Sequence, residues 1–219
     1  MSKLVEFSEL LATKLCHDLA GQINAVDNGV EFLKTGNNDV KEKALELLAE
    51  SSADLVAKLK LYRFAYGVNK SDGEADLELI LQTLLAFFAK SKITINWELY
   101  HPDHNAHNLT NQAAQLLLNM ILIISSSMIY GGNIKVEITR ENQHKNILVT
   151  GMGESIRTSK DAEIIIKNKE LMDAKLSNIQ IYFTVKLANS LGADLDLIEE
   201  QGKLILKAEF ANHVEPWMN

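Results

Sequence analysis

The stretch LCHDLAGQINAVDNG, Leu15 to Gly29, decides how the rest of the chain is read. Around it Leu4, Leu11, Leu15, Leu19, Ile23, Val26, Val30 and Leu33 recur at three-, four- and seven-residue steps, the spacing of one buried stripe on a long helix. His17 lies off that stripe. Its neighbours on a helix surface are Lys14, Gly21, Asn24 and Asn28, so the imidazole belongs to a polar face. The adjacent Asp18 can accept the Nδ1 proton, which fixes the tautomer and leaves Nε2 as a neutral nucleophile near pH 7. A glycine inside a good helix costs about 0.5–1 kcal/mol relative to alanine, so Gly21 suggests that something approaches the backbone closely. On these features alone two readings stay open: a nucleophile presented to another macromolecule, or a surface histidine with an ordinary charged neighbour.

Composition bounds the rest. A chain of 219 residues, 47% hydrophobic and 23% charged, is globular, with one or two domains and a real core. A net charge of -7 and a pI of about 5.4 lack the basic footprint of a nucleic-acid binder, so nucleic acid is not an expected partner. The single cysteine, Cys16, rules out an internal disulfide and multi-thiolate zinc sites, and it fits a cytoplasmic location. The opening MSKLVEFSELLATK carries acidic residues and no apolar core, unlike a signal peptide. The longest apolar run, Leu116 to Ile124, is too short for a bilayer span of about 20 residues, so no membrane association is expected.

In chain order, the first helix is expected from Ser2 to Thr35, stopping at Gly36, with Asn38 or Asp39 capping a second helix from Val40 to Tyr66. That helix places Ala44, Leu48, Leu55, Leu59 and Tyr62 on one side, and Glu42, Glu46, Glu50, Asp54 and Lys58 down the other. Residues 1–67 thus form an antiparallel helical hairpin. It cannot bury both stripes within itself. Either a second copy completes a four-helix bundle, or the hairpin lies on its own C-terminal half.

Gly67 to Ala75 reads as a linker to a second domain, residues 76–212. Leu77, Ile80, Leu81, Leu84, Leu85 and Phe88 form a helical stripe, and Ile93, Ile95, Trp97 and Leu99 alternate as a strand. A helix from Thr110 to Tyr130 follows, then strands at 133–141 and 145–151, a helix from Ile179 to Leu191, and a strand pair at 193–198 and 203–210. The class is α+β: a helical hairpin followed by an α/β sandwich whose sheet is covered on one face by helices.

This order of elements resembles a sensor histidine kinase core, a dimerisation hairpin followed by a Bergerat-type ATPase domain. LCHDLAGQINAVDNGVEFL and LLLNMILIISSSMIYGG narrow the resemblance to the ChpT-type bacterial histidine phosphotransferases. Kinases carry an N-box with two metal-holding asparagines four apart; here Asn119 is present and Ile123 stands four residues on. They also carry an aspartate that binds the adenine amino group, where this chain has Val149, with Gly151 and Gly153 retained. Valine accepts no hydrogen bond. Between Gly153 and Gly192 there is no glycine, so the glycine-rich phosphate lid is missing as well. These losses imply a degenerate ATPase domain that binds no ATP and supports docking.

The resemblance further implies that His17 takes a phosphoryl group from the receiver domain of a hybrid histidine kinase and passes it to the receiver of a response regulator. Asp18 would orient the imidazole. Lys14, Gly21, Asn24, Ala25 and Asn28 would contact the receiver, and a glycine at 21, unlike a polar side chain there, would position no hydrolytic water. No cofactor of its own is expected, since Mg²⁺ would come with the receiver, and the hairpin would make a homodimer. An active ATP-dependent kinase and a non-catalytic dimeric adaptor that sequesters response regulators are the alternatives. His101, His104 and His107 with Asp103 recur in a segment containing Pro102, better read as a polar loop than as metal ligands.

Overall fold

The hairpin forms because each of its ends is sealed locally. In the computed structural model, which describes residues 3–67, 73–99, 109–141, 144–169 and 172–210, α1 runs Lys3–Thr35 and α2 runs Asn38–Tyr66. The Gly36 amide closes α1 on the Phe32 carbonyl at 2.9 Å. Asn37 then caps α2 by accepting from the Val40 amide at 3.0 Å, one residue before the expected cap. The helices are in close contact at Gly29, where an added Cβ would sit 2.7 Å from Leu48 Cγ. Small size there, not backbone freedom, lets α1 and α2 meet.

The C-terminal half follows as α3 (Leu77–Phe88), β1 (Ile93–Trp97), α4 (Asn111–Ser126), β2 (Gly132–Glu141), β3 (His144–Met152), α5 (Lys160–Ala162), α6 (Ile179–Ser190), β4 (Ala193–Glu200) and β5 (Lys203–Phe210). Side chains of Asp76 and Thr110 cap α3 and α4. The sheet has the order β1-β2-β3-β5-β4; β1 and β2 are parallel and the other neighbours antiparallel. Inward residues Ile134, Val136, Ile147, Val149, Leu204 and Leu206 meet α4, whose Leu116 to Ile121 are all buried. This is the expected α+β arrangement of hairpin and sandwich.

Two details differ from the sequence reading. The helix expected to reach Tyr130 ends at Ser126, because Ser125, Ser126 and Ser127 turn their hydroxyls back onto the Leu122 and Ile123 carbonyls and loosen the last turn. The unforeseen α5 is capped by Ser159 and runs into a π-helical turn, Glu163–Lys167, that buries Ile165 and Ile166. Its three consecutive isoleucines carry no helical period, so hydrophobic spacing gave no signal.

The end of the hairpin nearer Tyr66 packs on this second half. Leu61 and Ala65 are fully buried in the common core, Phe7 stacks on Phe183 with ring centroids 6.2 Å apart, and Lys90 bridges Glu50 and Asp54 at 3.2 Å each. Elsewhere on the hairpin an apolar stripe is left partly uncovered in the single chain: Ile23 and Val30 on α1 and Leu59 on α2 are exposed, as are Leu45 and Val56 beside them.

Candidate functional site

His17 projects from the middle of α1 with its side chain 84% exposed. Asp18, the next residue, turns about 100° around the helix and faces inward. Its Oδ2 accepts from Lys14 Nζ at 2.8 Å and from the Tyr62 hydroxyl at 3.0 Å. Its backbone carbonyl accepts from Lys58 Nζ at 2.8 Å, and the same ammonium reaches Gln22 Oε1 at 3.1 Å. The other carboxylate oxygen, Oδ1, lies 3.8 Å from His17 Nδ1. That is too long for a hydrogen bond, though the exposed imidazole has room to turn toward it.

Burial, followed by the nearby Asp18 carboxylate, pushes the Tyr62 phenol well above its ordinary value, so it stays a protonated donor. Tyr66 is raised by the same two causes in the same order. Behind Asp18 a cleft of about 230 Å³ separates the hairpin from the second half, lined by Tyr62, Tyr66, Ser126, Ser177 and Gln180 among others.

The other expected site residues divide. Asn24 and Asn28 are exposed, Ala25 is half-buried, and a Cβ at Gly21 would meet nothing within 4 Å. Within this chain, then, nothing requires a glycine at 21. Lys14 is half-buried and its ammonium rests on Asp18. Sequence reasoning missed Tyr62, Lys58 and Gln22. Lys58 and Tyr62 are one turn apart on α2 and cross α1 at Asp18, a pairing that only the hairpin register reveals.

Asn119, Val149, Gly151 and Gly153, the residues set against the kinase motifs in the sequence, are taken up by packing and hydrogen bonds. Asn119 is fully buried, donates to the Ala65 and Gln115 carbonyls at 2.8 Å each, and accepts from Gln180 Nε2 at 2.7 Å. Val149 is fully buried in the core. A Cβ at Gly151 would lie 2.6 Å from Ile124, and one at Gly153 would lie 2.8 Å from the Gly131 carbonyl, so both glycines serve close packing of α4 and its following turn on β3. Among the described residues no group of three or more His, Cys, Asp or Glu is arranged to hold a metal, and no helix is long and apolar enough to cross a membrane. His101, Asp103, His104 and His107 lie outside the described residues.

Residues 77–203 match the model of the histidine phosphotransferase C-terminal domain, more than half of the 219 residues. The chain belongs to the histidine phosphotransferase family. Protein phosphotransferase ChpT of Brucella abortus (strain 2308) is 26% identical over 209 residues, 94% of this chain and 96% of that protein. A solved structure of a bacterial phosphotransferase shares the fold, with a TM-score of 0.79 at 24% identity over 95% of this chain and 97% of that one. Histidine phosphotransfer within a phosphorelay is therefore the activity of the chain.

Proposed function

We propose that His17 is the phosphoacceptor, taking the phosphoryl group from the phosphoaspartate of a hybrid kinase's receiver domain and surrendering it to a response regulator. One observation carries this reading: an exposed imidazole stands beside a carboxylate tied down from behind, on a face that Gly21 leaves open.

The Nε2 lone pair attacks phosphorus in line as the bond to the receiver's aspartyl oxygen breaks, and that carboxylate leaves. The Nδ1 proton stays on the ring, where Asp18 Oδ1 balances the positive charge of the phosphoimidazole. Transfer to the second receiver reverses these bonds. Mg²⁺ and the lysine that neutralise the moving oxygens belong to the receiver, so this chain contributes orientation. Gly21, Asn24, Ala25 and Asn28 form the contact surface around His17, and with no polar side chain at 21 to hold a water, transfer outruns hydrolysis.

The chain acts without nucleotide in this reading. In support, Asn119 has committed both amide donors and its carbonyl within the protein, and Val149 offers no acceptor for adenine. The working form is a homodimer in which the uncovered stripe of Ile23, Val30, Leu45, Val56 and Leu59 completes a four-helix bundle with a second copy.

Incubation with a labelled, phosphorylated receiver tests the assignment. Acid-labile, base-stable phosphate should appear on His17, pass to a second receiver, and be absent from His17→Ala. Label acquired from ATP and Mg²⁺ alone would instead mark a kinase, and an undiminished effect of His17→Ala on its partners would mark an adaptor.

A further inference from the structure

An aspartate that follows a histidine on a helix is not aimed at it by the helix itself, since adjacent residues diverge by about 100° and the carboxylate is free to rotate. Here that rotation is stopped. Lys14 and Tyr62 both donate to Oδ2, so Oδ1 is the oxygen turned toward His17. Of the two donors Tyr62 is the one with a rigid mounting. Its ring meets Tyr66 edge-on with centroids 5.6 Å apart, and Tyr66 in turn packs against Phe183 at 5.4 Å. The Tyr66 hydroxyl donates to Gln180 Oε1, Gln180 donates to Asn119, and Asn119 donates to the Ala65 and Gln115 carbonyls.

Taking His17 as the phosphoacceptor, we infer that Tyr62 is a positioning residue for phosphoryl transfer: it locks the Asp18 carboxylate so that Oδ1 stays turned toward Nδ1 of His17, ready to accept a hydrogen bond from it once the ring swings in, and the strut Tyr66–Gln180–Asn119 fixes Tyr62 to the second half of the chain. A tyrosine suits this task because its ring supplies rigid packing and its hydroxyl one directed bond. Lysine supplies neither, for its ammonium sits on a flexible stem. The buried phenol also keeps its proton, so the bond to Asp18 persists across the working pH range. The strut connects the second half to the phosphoacceptor through Tyr66, Tyr62 and Asp18.

The test uses the full chain and potassium phosphoramidate, which transfers its phosphoryl group to an imidazole nitrogen and releases ammonia. Imidazole ¹⁵N spectra report which ring nitrogen of His17 carries the proton, and a His17→Gln variant assigns the signals. Wild type should hold the Nδ1–H tautomer. Tyr62→Phe removes only the hydroxyl; it should shift His17 toward the Nε2–H form and slow its labelling about three- to tenfold, the scale of one net hydrogen bond. Gln180→Leu loosens the strut from its far end and should move both readouts the same way by roughly twofold, on the low side of that scale, and it stands as the test if Tyr62→Phe loses its fold by circular dichroism. In a folded variant, an unchanged tautomer or an unchanged rate overturns the inference. A His17→Gln chain that still takes phosphate from a phosphorylated receiver overturns the phosphoacceptor reading instead, so the two failures are distinct.

Discussion

Helices α1 and α4 are both amphipathic in sequence, yet they end up in opposite surroundings. Along its 33 residues α1 buries only Gly29, whereas α4 buries eleven of its 16 residues, among them Asn119. The difference teaches what each stripe is for. The stripe of α4 is saturated by the sheet, α2 and α6, so α4 is where the chain's own stability resides. The stripe of α1 is matched only in part by α2, and the remainder, like the polar face that bears His17, is exposed in the single chain.

Side-chain truncation breaks this comparison most sharply. Leu117→Ala on α4 removes a fully buried side chain and should cost about 2–5 kcal/mol in a denaturant titration at any protein concentration. Leu45→Ala on α2, in the exposed stripe beside α1, should change the stability of the isolated chain by less than about 0.5 kcal/mol. If the stripe closes on a second copy, however, its midpoint should lie below that of wild type at concentrations where wild type is dimeric, and the two should converge on dilution. A Leu45→Ala curve identical to wild type at every concentration would remove this stripe from the dimer interface.

The same contrast explains what could be read without coordinates. Period and caps placed α1, α2, α3, α4, α6 and every strand within a few residues, because each has a stripe or an alternation bounded by Gly, Asn, Asp or Thr. His17 stood out because a polar residue off a clean stripe is visible in one dimension. Tyr62 did not: in sequence it ends an apolar row, and its role depends on crossing Asp18, 44 positions away. Lys58 was hidden among acidic residues for the same reason. Of the two glycines in the opening stretch, Gly21 drew attention and Gly29 did not, since only the hairpin register brings Leu48 against Gly29.

The paired tyrosines between hairpin and second half sharpen the comparison through pH. Both phenols are raised above the ordinary value of 10.0, so folding favours their neutral form. Below that value both states hold the proton and the contribution is intact. Above it the unfolded chain ionises first, and stability should fall by up to about 1.4 kcal/mol per pH unit for each tyrosine. Near-ultraviolet titration should show Tyr62 and Tyr66 ionising only with unfolding, and Tyr66 alone of the two in Tyr62→Phe. Free ionisation of Tyr62 in the folded protein would mean that the Asp18 anchor is wet and weak.

The smallest expected effect falls on the most open position. At Gly21 a methyl group meets no atom of this chain, so Gly21→Ala should stabilise α1 by about 0.5–1 kcal/mol, raising the thermal midpoint slightly. If nothing else needed that space, alanine would be the better residue. A receiver seated over His17 would need it, because its backbone must come near α1 for phosphorus to reach Nε2. Gly21→Ala should therefore be more stable and yet slower in transfer from a phosphorylated receiver, while labelling by phosphoramidate, which is small enough to pass the methyl group, stays unchanged. Equal losses with both donors would place the fault in the imidazole, and equal rates with both would mean that the receiver's backbone stays clear of Gly21.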